Sequence, residues 1–393
     1  MPNQPRSSGL PETGLRRIDD QHGFGVTSQR AKHAGERRSP GSDESGRASL
    51  GRAEGNVKAL VISKPGKAEI VPVPEPAGIK GGVLLKVRMV GLCGSDLNSF
   101  RGKNPLVSFP RIPGHEVAAT IVEAKTENPL LAAGVDVALS PYTHCGRCAS
   151  CRRGRPNACE FNETLGVQRD GARTEYIVMP ADKLYPAKLT LKELCLVEPL
   201  TVGFHAVARG RVTEEDAVAI FGCGGVGLGA VAAAAFRRAK TIAIDLDDGK
   251  LKVARAAGAT HTINAGNEPL HERLAELTDG RGPGVVIEAI GEAQTFLAAV
   301  EEVAFTGRVV YIGYAKERVA YETRWFVQKE LDILGSRNAL PEDFDAVIRM
   351  LEQGRFPVDE AVSRMVSLEE APEALRCWSD EPSRVKKIMV CLD

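Results

Sequence analysis

The stretch Ala217-Val-Ala-Ile-Phe-Gly222-Cys-Gly224-Gly225-Val226-Gly227 constrains the fold more than any other part of the chain. An apolar run of strand type ends in G-x-G-x-x-G, and an Ala-rich run of helical type follows at once. Gly222 permits the tight turn, Gly224 lets a pyrophosphate approach the backbone, and Gly227 lets the helix pack closely on the strand. The helix start, with Gly225 and Val226, offers free N–H groups and a positive dipole end to phosphate. A second strand ends in Asp245, roughly 20 residues on, where a carboxylate accepts ribose hydroxyls and repels a 2′-phosphate. Together these residues point to NAD on a doubly wound parallel sheet.

The rest of the C-terminal half has the same rhythm. Residues 217–221, 241–244, 285–289, 308–312 and 331–334 read as buried parallel strands, with helices over 226–238 and 249–257 separating the first of them. Earlier, residues 57–62, 83–90 and 117–123 are short β-type runs punctuated by Pro65-Gly66 and Gly81-Gly82, which suits antiparallel strands. Residues 341–393 return to mixed helix and strand and end in an apolar strand over 387–392. Residues 1–56 are rich in Arg, Ser, Gly and Asp without apolar periodicity, so a disordered extension is expected there. Asp19, Asp20, Asp43, Glu44 and Glu54 make it too acidic for a mitochondrial transit peptide. Val57, which opens the first strand, is a candidate start of translation.

Four of the nine cysteines, Cys145, Cys148, Cys151 and Cys159, crowd into one short stretch. Four thiolates on a compact loop suit a closed tetrahedral zinc site, whose role is mechanical because no ligand position stays open. A zinc-dependent nucleic-acid binder is the competing reading. Lys plus Arg equals Asp plus Glu at 51 each, so no net charge draws the chain to nucleic acid or anionic membrane. Arg147, Arg152, Arg153 and Arg155 then read as a solvated or subunit-facing surface. No apolar run reaches the roughly 18 residues of a membrane span, and no signal-peptide core opens the chain. Clustered free thiols suit a reducing cytoplasm.

Apart from that loop stand Gly91-Leu-Cys93-Gly-Ser95-Asp96 and Gly114-His115-Glu116. A catalytic zinc needs three protein ligands and one open position. Cys93 and His115 are candidates for two of them, and the third is a carboxylate, Glu116 or Glu198 in Val197-Glu198-Pro199-Leu200.

With these motifs in this order, the chain from Val57 onward resembles the zinc-containing medium-chain dehydrogenase/reductase superfamily, in its polyol (sorbitol) dehydrogenase branch. Arg101 to Pro113 and Gly335 to Phe344 are most similar to bacterial L-galactonate and L-gulonate 5-dehydrogenases. The resemblance implies an α/β fold: a GroES-like β-rich catalytic domain, residues 57–203 and 338–393, and a doubly wound Rossmann domain, residues 204–337. The active-site cleft would lie between them. It implies Glu116 as third ligand of the resting site, with Glu198 holding a water at the metal or exchanging with Glu116. Cys195 would pack in a helix. Ser95 would relay a proton outward, and Asp96 would orient His115 through its other ring nitrogen. The implied reaction is oxidation of a secondary hydroxyl of a polyol or sugar acid to a ketone, with hydride transfer to NAD. Arg337 would hold a substrate hydroxyl or carboxylate, its alternatives being a cofactor contact or a structural salt bridge. L-Threonine or another alcohol stays open as substrate. A zinc-free quinone or enoyl reductase would lack the Cys93 and His115 motifs. Relatives of this type form homodimers or homotetramers.

Overall fold

The structure, a computed structural model, describes residues 55–77, 82–381 and 386–392. Apart from residues 55 and 56, the expected extension lies outside the described residues, and the question of where translation starts lies there too.

A hairpin comes first: Asn56–Lys64 pairs antiparallel with Lys67–Pro74 across the turn at Pro65-Gly66. The next strand, Gly82–Gly91, is buried almost throughout and is the centre of a seven-stranded sheet. It pairs antiparallel with Glu116–Ala124, Tyr176–Pro180 and Ile388–Cys391. Asp136–Leu139 and Leu184–Pro186 extend one side, and Arg364–Ser367 adds the one parallel pairing on the other. Register is what matters for function. Gly91 stands opposite both Glu116 and Met389. Cys93 leaves one strand at the same sheet end where His115 enters the second and Lys387 enters the third.

The second sheet has six parallel strands in the order His261–Asn264, Lys240–Asp245, Ala217–Phe221, Val285–Glu288, Arg308–Tyr311, Asp332–Gly335. With the first strand in the middle and the order reversing beside it, this is the doubly wound arrangement. The expected helices are present as Gly225–Phe236 and Asp248–Ala256. Two strands depart from expectation. His261–Asn264 is an edge strand whose polar residues gave no strand signal. The strand expected to be buried over 331–334 is instead the opposite edge, with Asp332, Ile333 and Gly335 exposed. An edge strand has a neighbour on one side only, so its side chains are half uncovered.

Between the sheets runs the helix Leu191–Arg209. Thr190 caps it, accepting from the Glu193 N–H while the Glu193 carboxylate accepts from the Thr190 N–H, a reciprocal box that fixes the helix start. The division drawn between residues 203 and 204 falls inside this continuous helix. A Cβ on Gly203 would lie 2.1 Å from the Ala230 nitrogen, so the helix touches Gly225–Phe236 backbone to backbone. That contact fixes the distance from Glu198 to the glycine-rich turn. Cys195 lies buried in the same helix, its thiol donating to the Glu116 carbonyl at 3.4 Å. Among the described residues no helix is long and apolar enough to cross a membrane.

Candidate active site

At the shared sheet end the donor atoms of Cys93, His115 and Glu116 all lie within 4.8 Å of one another. His115 and Glu116 are buried, whereas Cys93 keeps partial exposure. Cys93 caps the short helix Gly94–Phe100, and its N–H donates to the Asp96 carboxylate at 2.9 Å. The Ser95 hydroxyl stands 3.5 Å from His115 Nε2. A thiolate, an imidazole and a carboxylate with one exposed side is the donor set of an open zinc site. The electrostatics agree. Burial disfavours an imidazolium, yet Cys93, Asp96 and Glu198 outweigh it and raise His115 to about 10. The anionic neighbours thus favour positive charge at this position.

Both candidate carboxylates have partners that the sequence did not announce. Lys387 donates to the two oxygens of Glu116 at 2.7 Å each, and to the Leu92 carbonyl at 3.3 Å. Burial works against the Lys387 ammonium, but Glu116 and Cys93 prevail and its pKa is raised. A Cβ on Gly91 would lie 2.0 Å from Glu116 Oε2, so this carboxylate fits only against a glycine. Glu198 accepts a hydrogen bond from the Tyr142 hydroxyl, both groups being buried. Burial and the nearby Glu116 push Glu198 up to about 7 against the opposing pull of His115, Tyr142 and Lys387.

Asp96 departs from expectation. It forms no hydrogen bond with His115, whose Nδ1 is buried without a partner among the described residues. Its Oδ2 accepts from Cys93 N–H and from the Arg173 guanidinium, the latter at 2.8 Å. The competing cation, wholly buried, has taken the carboxylate.

The sulfurs of Cys145, Cys148, Cys151 and Cys159 also lie within 4.8 Å of one another. Hydrogen bonds from the Ser150 hydroxyl and from the Cys151 and Glu160 N–H groups lower Cys148 to about 5. Burial, together with its neighbouring sulfurs, raises Cys151 to about 11. Thiols so crowded ionise together only around a cation, which fits the closed zinc site. Arg147, Arg152, Arg153 and Arg155 are exposed around it. Asn157, between Cys151 and Cys159, donates to the Arg337 carbonyl at 2.8 Å and contacts His205 Nε2 at 3.0 Å. Arg337 is therefore tied to this lobe by its backbone, while its side chain is exposed.

In the glycine-rich turn Gly222 has φ 93°, and a Cβ on Gly227 would lie 1.8 Å from the Gly222 carbonyl oxygen. Gly224 caps the helix that Gly225 and Val226 begin, and a Cβ there would meet nothing within 4 Å, so the backbone at the helix start is open to approach. Asp245 accepts from the N–H groups of Cys223, Leu246 and Asp247. One pocket has Cys223, Gly224, Gly225, Leu200 and Lys387 among its walls, and Lys387, which donates to Glu116, ties it to the metal-ligand cluster.

Residues 79–189 match the alcohol dehydrogenase GroES-like domain, and residues 225–353 match the zinc-binding dehydrogenase domain. The chain is 33% identical over 346 residues to a sorbitol dehydrogenase of Bacillus subtilis, covering 85% of this chain and 97% of that one. To the L-galactonate-5-dehydrogenase of Escherichia coli it is 31% identical over 277 residues, 70% of this chain and 82% of that one. A solved alcohol dehydrogenase of Escherichia coli, complexed with NADH, has a TM-score of 0.79 at 29% identity, over 86% of this chain and 99% of that one. The chain belongs to the zinc-containing medium-chain dehydrogenase family, in its polyol dehydrogenase branch.

Proposed function

We propose that this zinc- and NAD(P)-dependent dehydrogenase oxidises a secondary hydroxyl of a polyol or sugar acid to a ketone. The observation that carries the reading is the Cys93–His115–Glu116 cluster, linked through Lys387 to a pocket that the dinucleotide turn lines. The names of the sorbitol and L-galactonate relatives support the substrate class. Cys93, His115 and Glu116 would hold the catalytic zinc, and Cys145, Cys148, Cys151 and Cys159 the structural one. When bound, the catalytic zinc supplies a Lewis acid that lowers a hydroxyl pKa toward neutrality.

Ser95, half-buried and 3.5 Å from His115 Nε2, is the group assigned to receive the substrate proton and pass it outward. Glu198, raised to about 7, is matched to exchanging a proton near neutral pH, and Tyr142 keeps one of its oxygens oriented. Gly222, Gly224, Gly225, Val226 and Gly227 take the pyrophosphate, and Asp245 the ribose hydroxyls, so that NAD is preferred over NADP. Exposed Arg337 remains a candidate hold for a substrate carboxylate.

The catalytic division is proposed as residues 57–203 and 338–393 around a cofactor domain of 204–337. A homo-oligomer is supported by the edge strand Asp332–Gly335 with its exposed Ile333, beside the exposed Val327. The free cysteines suit a reducing cytoplasm. The test is a polyol or sugar acid deuterated at the secondary carbinol. Deuterium should appear on the reduced nicotinamide, and reduced cofactor free of deuterium would reject the reading.

A further inference from the structure

Among the described residues Arg173 is the largest side chain that is wholly buried. A charged group there is costly unless it is paired and hydrogen-bonded, and a spacer of its volume needs no charge. Its Nη2 donates to the Gly91 carbonyl and to Asp96 Oδ2, both at 2.8 Å. The same Oδ2 accepts the Cys93 N–H. The side chain therefore reaches the Cys93 loop from two directions. Gly91 is also the residue against which the Glu116 carboxylate packs.

The backbone of this segment grips the other ligand loop. Arg173 N–H donates to the Pro113 carbonyl at 3.1 Å, and Ala172 N–H to the Gly114 carbonyl at 3.0 Å. A Cβ on Gly114 would lie 3.1 Å from Arg173 Cγ, so the turn that delivers His115 rests on the arginine stem. One residue thus touches the segments that carry Cys93, His115 and Glu116, although it ligates nothing. It also decides the partner of Asp96: with Oδ2 held toward the Cys93 loop, His115 Nδ1 has no hydrogen-bond partner among the described residues.

We propose that Arg173 is a positioning residue of the catalytic metal site, holding the Cys93 and His115 loops in register and turning the Asp96 carboxylate from a hydrogen bond with His115. The proposal rests on the reading that Cys93 and His115 hold the metal. Partners that orient metal ligands are typically worth about 10- to 100-fold in metal affinity.

The test uses the full chain loaded with Co²⁺, comparing wild type, Cys93→Ser, Arg173→Lys and Arg173→Met. Visible bands lost in Cys93→Ser belong to the catalytic site. Both Arg173 variants should keep their far-ultraviolet dichroism and four-thiolate bands. The Cys93-dependent bands should shift, and metal should pass from that site to a chelator about 10- to 100-fold faster. A folded Arg173 variant with unchanged bands and release rate would overturn the proposal. Failure of both variants to fold would also overturn it, by assigning Arg173 to the stability of the whole domain. Absence of Cys93-dependent bands in the wild type would instead overturn the metal reading beneath it.

Discussion

Lys387 and Glu116, 271 residues apart, form a two-pronged buried ion pair in which one ammonium serves both carboxylate oxygens. A carboxylate so engaged must share an oxygen with the lysine when it ligates a metal. Removing the lysine leaves a buried charge alone, at a cost of about 3–5 kcal/mol. Lys387→Met should therefore lower the denaturation midpoint of the metal-stripped chain, and adding Glu116→Gln should recover part of the loss. Equal midpoints for wild type and Lys387→Met would refute the pairing.

The metal-stripped chain should also show a pH signature from His115. Its pKa in the folded state, about 10, lies above the ordinary 6.5, because Cys93, Asp96 and Glu198 outweigh burial. The folded state therefore binds a proton that the unfolded chain gives up. The resulting stability is fully present below about pH 6.5 and is lost as pH rises toward 10. Zinc replaces that proton, so the loaded chain should lack this decline, as should His115→Gln. Urea midpoints across pH 6–10 measure it, and parallel curves for stripped and loaded chains would contradict it.

Tyr142 donates to Glu198, which favours the charged carboxylate. Tyr142→Phe removes that bond and should raise the Glu198 pKa further. If Glu198 must be ionised to accept a proton, the acidic limb of the kcat/KM profile should move to higher pH. Glu198→Gln should lower kcat about 100-fold or more with folding intact. An unmoved limb in Tyr142→Phe would separate the tyrosine from catalysis.

Asp245 should govern the choice of dinucleotide. A hydrogen bond to a charged group contributes about 1.5–3 kcal/mol, so Asp245→Ser should lower kcat/KM for NAD roughly tenfold or more while that for NADP rises. Initial rates with both cofactors decide the matter, and an unchanged NAD/NADP ratio would exclude the role.

Much of the architecture was legible because its signals are local. The turn from Gly222 to Gly227 lies within six residues of sequence, and the edge of its sheet was missed only where His261–Asn264 is polar. The clustering of Cys93 with His115 depends on Gly91 facing Glu116, a register that follows from two neighbouring apolar strands. What stayed hidden is long-range. Arg173 and Asp96 are 77 residues apart, and Tyr142 and Glu198 are 56 apart. No periodicity marks such pairs. Lys387 is the second of two lysines that open an apolar strand, and nothing in that pattern names its target. The expected hydrogen bond from His115 to Asp96 is absent for the same reason: the carboxylate oxygen is held by a cation supplied from elsewhere in the chain.

Oxidation of an alcohol at the Cys93–His115 site is tested most directly by NADH formation from a panel of polyols and aldonates, with the zinc-loaded chain and its Cys93→Ala variant. The wild type should hold two zinc ions per chain and reduce NAD with at least one polyol or aldonate. The variant should hold about one zinc ion, keep the four-cysteine site and form no NADH. Equal rates for the two proteins, or no NADH from any member of the panel with both zinc sites filled, would contradict the account.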